Sequence, residues 1–378
     1  MENIPFFRPL VDEREANLIN EALFDSNINM INSFEKEIKN YFNSDFGIST
    51  NNGTSAMHLA LCAMDIKRAD KIICSVNSFP NVAEVIRHFD AEPIPVDINE
   101  DDFNINIDSF EATLKKNNHK KLKAAFISHV GGQSANMDEI YAIAKEYNIK
   151  IIDDASRAMG ATYKGAKLGS IKDSFISCFQ VNPQIDGFIA TSGFFTTNDE
   201  EIASRAKLVR NHALISNSSS KDGNLNYIYD VLEIGQKYDL SPLCAAFSRA
   251  QFAKTEQFIK RRKEIAAIYN KELSACPHVT TPTASNEHIY TQYIIKIDKN
   301  RDNFARQLKE FGINVALHYI PIHLLTYYKQ KYGFKVNDFP TSLRVYQQVL
   351  SLPIYADLKD EEVNYICDKV KFVAKNSV

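Results

Sequence analysis

The sequence predicts an α/β protein with a mainly parallel sheet in a large domain over residues 1–245 and a smaller C-terminal α+β domain over residues 246–378. Two observations carry this expectation. From residue 46 to about residue 200, short β-rich apolar runs alternate with helical patterns, the sequence form of successive βα units. Near Pro242 the pattern changes to one long helical stretch, followed by mixed strands and helices. A chain of 378 residues has length for two domains and a large core.

The strands of the first part are expected at Phe46–Thr50, Lys71–Ser75, Glu92–Ile98, Leu122–Val130, Ile149–Asp154, Ser174–Phe179 and Gly193–Thr197. Each is a short run rich in apolar and β-branched residues, as strands buried on both faces require. Between them, Ser55–Met64, Val82–Phe89, Ile107–Lys116 and Met137–Tyr147 carry apolar residues at helical spacing. Leu243 to Leu273 reads as one long helix or two abutting ones, with Lys260–Lys263 as a solvated basic face. Beyond it, strands are expected at Tyr290–Ile297 and Asn314–Leu317, and helices at Asp302–Phe311, Leu343–Val349 and Lys359–Ala374.

Composition excludes several function classes. Forty-four Lys and Arg against 47 Asp and Glu leave no basic surplus for a nucleic-acid backbone. No run approaches the roughly 18 apolar residues of a membrane span, and the N-terminus lacks signal-peptide character. A cytoplasmic protein is expected. The six cysteines show no C-x-x-C or metal-type spacing and read as buried, reduced thiols. Glycine is scarce, 13 residues in 378 against an ordinary usage of about 7%.

In an open α/β sheet, ligands bind outside the carboxyl ends of the strands, so the residues just after the strands are the candidates for chemistry. Asn52-Gly53-Thr54 joins a strand to a helix and suits an anionic phosphate, or forms an ordinary threonine N-cap. Asp153-Asp154 closes a strand. A carboxylate there needs a cation: paired acids could bind Mg²⁺, although no second acidic pair of suitable spacing occurs, and a protonated ring nitrogen is the other natural partner. His318 and His323, in HYIPIH, do not share a helical face, which argues against zinc and for packing or substrate contact. No GxGxxG or Walker A motif occurs.

Several longer stretches carry a family resemblance. NNGTSAMHLAL, EPIPVDINEDDFNI, HVGGQSANMDEI, IIDDASRAMGATYKGAKLGS, QFIKRRKEIAAIYN, HYIPIH and DFPTSLRVYQQVLSLPIYADLKDEEV resemble sugar aminotransferases of the DegT/StrS type over nearly the whole chain. The resemblance implies the type I aminotransferase fold, pyridoxal phosphate (PLP) as cofactor, no metal, a homodimer with sites at the subunit interface, and nucleotide-linked sugars as substrates. It implies a phosphate-binding turn at Gly53 and Thr54, an aromatic stacking on the pyridine ring at Phe79, and an aspartate pairing with the pyridinium nitrogen at Asp154. It also implies that Arg157, His318, Tyr319 and His323 approach sugar or cofactor.

The chain departs from the family pattern at the Schiff-base lysine. Counting back from Thr197-Asn198-Asp199, Ile185 occupies the lysine position, Gln180 stands on the motif's serine, and Ala190-Thr191-Ser192-Gly193 on its G-E-G-G. No lysine occurs between Lys172 and Lys207, and no histidine, the substitute in related dehydratases, between His129 and His212. The N-terminal loop of the family is reduced to Ser26–Asn32, and its G-Y-N-Y-R reads Gly235-Gln236-Lys237-Tyr238-Asp239. The expectation is therefore a protein of nucleotide-sugar metabolism without efficient Schiff-base transamination, with PLP or its amine form PMP non-covalent if present. It would act as a homodimer or paired with an active paralogue. The alternative is an active or PMP-using enzyme to which the partner subunit lends Lys237.

Overall fold

The computed structural model describes residues 3–25, 27–181, 191–216, 229–283, 285 and 287–376. Two helices, α1 (Glu13–Phe24) and α2 (Met30–Phe42), come first, then β1 (Phe46–Thr50) and α3 (Gly53–Ala63). Next come β2 (Lys71–Ser75), α4 (Asn81–Arg87), β3 (Glu92–Val96), α5 (Ile107–Asn117), β4 (Leu122–Ser128), α6 (Met137–Glu146) and β5 (Lys150–Asp154). A small pair, β6 (Thr162–Tyr163) and β7 (Ala166–Lys167), leads to β8 (Ile176–Val181), β9 (Ser192–Thr197) and α7 (Glu200–Val209). β10 (Leu214–Ser216) pairs with β11 (Tyr229–Val231) ahead of α8 (Pro242–Ala253) and α9 (Thr255–Leu273). The C-terminal part holds β12 (Val279–Thr280), β13 (Tyr293–Ile297), α10 (Arg301–Glu310), α11 (Thr326–Tyr332), α12 (Pro340–Gln348), β14 (Val349–Leu352) and α13 (Asp360–Asn376).

Seven strands form the main sheet in the order β1-β9-β8-β5-β4-β2-β3, and only β9 runs antiparallel to its neighbours. Aliphatic side chains of α3 and α4 pack on one face of this sheet, and those of α5 and α6 on the other. β12, β13 and β14 make a separate antiparallel sheet whose core is shared with α9, α10 and α13. The parallel strands β2, β4, β5 and β8 end on the same side, so Ser75, Ser128, Asp154 and Val181 arrive together at one edge of the sheet.

The expected βα alternation is present, and the long helical stretch is two abutting helices broken at Lys254. Three expectations are corrected. Asn314–Leu317 is not a strand: Ala316 exchanges both backbone hydrogen bonds with Ser351 and the ladder stops there, freeing the chain to turn toward β2. Val349 opens a strand and does not close a helix, because β14 pairs along β13 from Lys296 to Tyr293. Within Ser26–Asn32, the last residues are helical, since Asn29 caps α2 by accepting the Asn32 N–H at 3.0 Å. Of the cysteines, Cys74, Cys178, Cys276 and Cys367 are buried and Cys62 and Cys244 partly so, all as free thiols.

The N-terminal segment ties the two parts together. Ile4 bridges to Ile313, Arg8 binds Asp357 at 2.5 Å and Glu362 at 2.8 Å, and α1 then packs along α8. The expected domain boundary at residue 245 falls inside α8. Where α8 meets α9, the fully buried ammonium of Lys254 pairs with buried Glu15 at 2.6 Å, and Gln251 Nε2 donates to the same carboxylate oxygen. The other oxygen of Glu15 accepts the Asp12 N–H and completes the capping box of α1. Removing one partner of such a pair strands the other charge away from water. Glu15→Ala is expected to lose about 3–5 kcal/mol in urea unfolding, and a Glu15→Leu/Lys254→Met double variant much less. A Glu15→Ala loss no larger than that of the double variant would sink this account.

Candidate functional site

Alternation along β5 divides two adjacent acids between two environments. Asp153 is fully buried and its Oδ2 accepts the hydroxyls of Ser174 at 2.5 Å and Ser177 at 2.7 Å. Asp154 faces a cavity of about 290 Å³, toward the small end of the range for ligand pockets. Ser128, its partner in the β4–β5 register, donates to Oδ2 at 3.3 Å, and the Ser156 N–H donates to Oδ1 at 3.2 Å. The carboxylate is therefore aimed by its neighbours, with no cation paired to it among the described residues.

His129 also lines the cavity. Its Nδ1 accepts the Ala135 N–H at 3.1 Å, so the ring proton of the neutral form sits on Nε2, 3.4 Å from Asp153 Oδ1. The opposite wall is the start of α3. Asn52 is the N-cap, its Oδ1 accepting the Ser55 N–H at 2.8 Å, so the threonine-cap reading is replaced; Thr54 lines the cavity and its hydroxyl accepts from Asn81 Nδ2 at 3.4 Å. At Gly53, a Cβ would stand 2.8 Å from Gln180 Cβ and 2.9 Å from its Oε1. Glycine is needed because the Gln180 side chain lies over the turn.

Two loops close the cavity. Asn77, Ser78 and Phe79 follow β2, and Tyr319 comes from the C-terminal part. The Tyr319 N–H donates to Asn77 Oδ1 at 3.3 Å and the Ile322 N–H to the Val76 carbonyl at 2.9 Å, which locks the two loops together. Phe79 is half exposed and meets Tyr319 edge-on at 6.2 Å. The resulting site combines an oriented carboxylate, a helix start carrying a hydroxyl, and an aromatic ring.

The family model for DegT/DnrJ/EryC1/StrS aminotransferases matches residues 10–371. The chain belongs to that family. An uncharacterized protein of Methanocaldococcus jannaschii is 35% identical over 99% of this chain and 98% of its own length. The spore coat polysaccharide biosynthesis protein SpsC of Bacillus subtilis is 29% identical over 99% and 98%. Among solved structures, the PMP form of a putative sugar aminotransferase from Streptococcus pneumoniae superposes with a TM-score of 0.91 over all of both chains at 23% identity. The fold is that of the aminotransferases.

Within this family frame, the structure brings Thr54, Phe79, Asp154, Arg157, Gln180 and Tyr319 around one cavity, with Gly53 beneath Gln180. Two expected histidines lie elsewhere. His318 is buried beside the cavity, its Nδ1 2.8 Å from Ser351 Oγ, and His323 packs on Phe339 with Nε2 donating to the Val336 carbonyl at 3.1 Å. Packing accounts for both contacts. Lys237 is exposed, pairs with Asp239 at 2.8 Å, and does not line the cavity of its own chain. Ile185 lies outside the described residues. His129, Ser128 and Asn77 were not singled out from the sequence, although each lies at or just beyond a strand's carboxyl end, where ligands bind.

Burial without a counter-charge lowers the pKa of His58 to about 4 and those of His288 and His318 to about 3, with Arg157 adding to the effect at His318. Each is thus neutral in the native state and takes up a proton near 6.5 when unfolded. The stability they contribute is complete above about pH 6.5 and is lost as pH falls toward 3–4, by about 1.4 kcal/mol per pH unit per histidine. Urea unfolding between pH 7 and pH 5 should show this decline, and His318→Gln should flatten it. An unchanged slope in that variant would refute the assignment to His318.

Proposed function

We propose that the chain holds PLP or PMP non-covalently, binds a nucleotide-linked sugar beside it, and lacks efficient Schiff-base transamination. The donor set fits the cofactor. The Asp154 carboxylate suits a protonated ring nitrogen, the start of α3 with the Thr54 hydroxyl suits a phosphate, and Phe79 offers a ring face at the mouth. When bound, such a cofactor supplies an electron sink next to the carbon that carries the amino group. The protein's own share is positional. Ser128 and the Ser156 N–H hold the Asp154 carboxylate in one orientation, and the Tyr319–Asn77 contact keeps the mouth closed on that side.

The observation that carries the second half of the reading is the absence of an amine. No lysine lines the cavity among the described residues, and none occurs anywhere between Lys172 and Lys207. An isoleucine at position 185 can neither bond the cofactor nor move a proton. Loss of general acid–base catalysis alone costs about 10²–10⁴-fold, roughly 3–5 kcal/mol of barrier. The name of the Bacillus subtilis relative points to polysaccharide synthesis as the setting.

Purified protein incubated with PLP, reduced with borohydride and mapped by peptide mass is expected to retain cofactor with no pyridoxyl label on any lysine. A label on a lysine would overturn the reading, and a label on Lys237 would point to an amine lent by the partner subunit.

We also infer a homodimer. Tyr229, Val231, Leu232 and Ile234 stand exposed along one short segment, Ile234 at 89%, and Leu23 and Phe24 protrude at the end of α1. Isolated apolar side chains on a surface need no explanation, but six in two short segments suit an interface. Light scattering should give twice the 42.9 kDa chain mass, and Ile234→Asp should shift it toward one chain. A monomeric wild type would dismiss the homodimer.

A further inference from the structure

Pleating along β8 places Ile176, Cys178 and Gln180 on one face of the sheet. Ile176 and Cys178 are buried there in one apolar cluster with Met57 and Leu61 of α3. Gln180, the next position on that face, meets α3 at its first residue, Gly53. The fit is close along the whole side chain: a Cβ on Gly53 would stand 2.8 Å from Gln180 Cβ, 3.4 Å from its Cγ and 2.9 Å from its Oε1. Gln180 is paired with Gly193, and Gly193 with Thr50 just ahead of the turn, so strand pairing fixes the spacing of the two backbones.

A helix start leaves its first N–H groups without intrahelical acceptors. Asn52 caps the Ser55 N–H, and those of Gly53 and Thr54 have no acceptor among the described residues. An anion would sit at those two groups, and the Gln180 carboxamide lies across them. The amide is neutral and makes no hydrogen bond to any described residue, so nothing there clamps it. A second cavity, of about 80 Å³, adjoins the first, and Gln180 lines both, as Ser156 and Arg157 do. Its other walls are the N-terminal segment, the α8–α9 junction with Arg262, Thr291 and the loop 354–356 that follows β14. The volume is several times the roughly 10–15 Å³ that admits a water. A rotated carboxamide therefore has room to leave the turn.

We propose that Gln180 is a plug on the anion seat at the start of α3, and that it sets the preference of the site between phosphorylated and unphosphorylated ring ligands. With the carboxamide across the turn, a phosphate does not reach the Gly53 and Thr54 N–H groups. With the carboxamide turned into the second cavity, it does. A seat open about a tenth of the time binds about tenfold more weakly than its intrinsic affinity. A ligand without a phosphate, held on the side of Asp154 and Phe79, is indifferent to where Gln180 lies. The choice of ring ligands rests on the reading of the first cavity as a cofactor site.

Equilibrium titration of the full chain with PMP, pyridoxamine and inorganic phosphate decides the matter, since none of the three forms an imine with a surface lysine. Gln180→Ala is expected to bind PMP and phosphate about tenfold more tightly than the wild type, with pyridoxamine affinity unchanged. Gln180→Glu keeps the shape and brings a negative charge to the helix start. It is expected to bind PMP and phosphate about tenfold or more weakly than the wild type, again sparing pyridoxamine. The plug is overturned if Gln180→Ala binds PMP and phosphate no more tightly than the wild type, if pyridoxamine gains as much as PMP, or if phosphate binds none of the three chains. Weaker PMP binding by Gln180→Ala would make the carboxamide a donor to the phosphate and overturn it as well. Tighter phosphate binding by Gln180→Ala, with neither PMP nor pyridoxamine bound by any chain, would uphold the plug and sink the proposed function alone.

Discussion

A single close approach sets the geometry of the site. At Gly193, a Cβ would lie 2.2 Å from the Asn52 carbonyl oxygen and 2.5 Å from the Gly53 nitrogen. Both atoms are backbone, so neither can move aside as a flexible side chain would. Gly193 is paired with Thr50 of β1 on one side and with Gln180 of β8 on the other. One residue without a side chain thus lets the antiparallel β9 slide beneath the strand-to-helix turn, holding that turn against the sheet. Two strands on from β9 the order reaches β5 and Asp154, so the spacing between helix start and carboxylate follows from strand pairing. The site is as rigid as the sheet.

Charges in the protein interior fall into two kinds. Lys254 with Glu15, and Arg8 with Asp357 and Glu362, are paired and join the N-terminal segment to both parts of the chain. Asp153, one residue from the site, is satisfied by two serine hydroxyls. Two other groups at the cavities are different. Asp154 is oriented by Ser128 and the Ser156 N–H but has no cation, and Arg157 has a cationic group with no anion. Structural charges, Arg8 at the second cavity among them, are neutralised by neighbours in the fold, whereas Asp154 and Arg157 have no opposite charge within the described residues.

Much of this was legible in the sequence, and the rest was hidden for definable reasons. Phe46–Thr50 and Lys71–Ser75 are strands to the residue because short β-rich runs bounded by turns have one reading. Asp154 and the Asn52–Thr54 turn stood out because a strand-end acid and a glycine before a helix are local signals. The second cavity gave no such signal. Its walls come from residues 7–10, 156–159, 180, 251–262, 291 and 354–356, brought together only by the fold. Arg262 lies in a basic run that reads as a solvated helix face, and its burial against Ile289 is a tertiary fact. The two histidines of HYIPIH read as packing or substrate contact, and the structure shows their packing partners. Their motif is specific; Ser351 meets the His318 ring and Val336 meets His323 Nε2, while His323 Nδ1 is buried without a partner.

The energetics bear on what keeps the site in place. A chain that served only as a scaffold would gain from replacing orphaned donors with apolar atoms of similar shape, since each buried unpaired polar group costs about 1–3 kcal/mol. Ser156, Arg157, Thr291 and Tyr355 retain theirs. A ligand whose acceptors meet these donors would offset that cost.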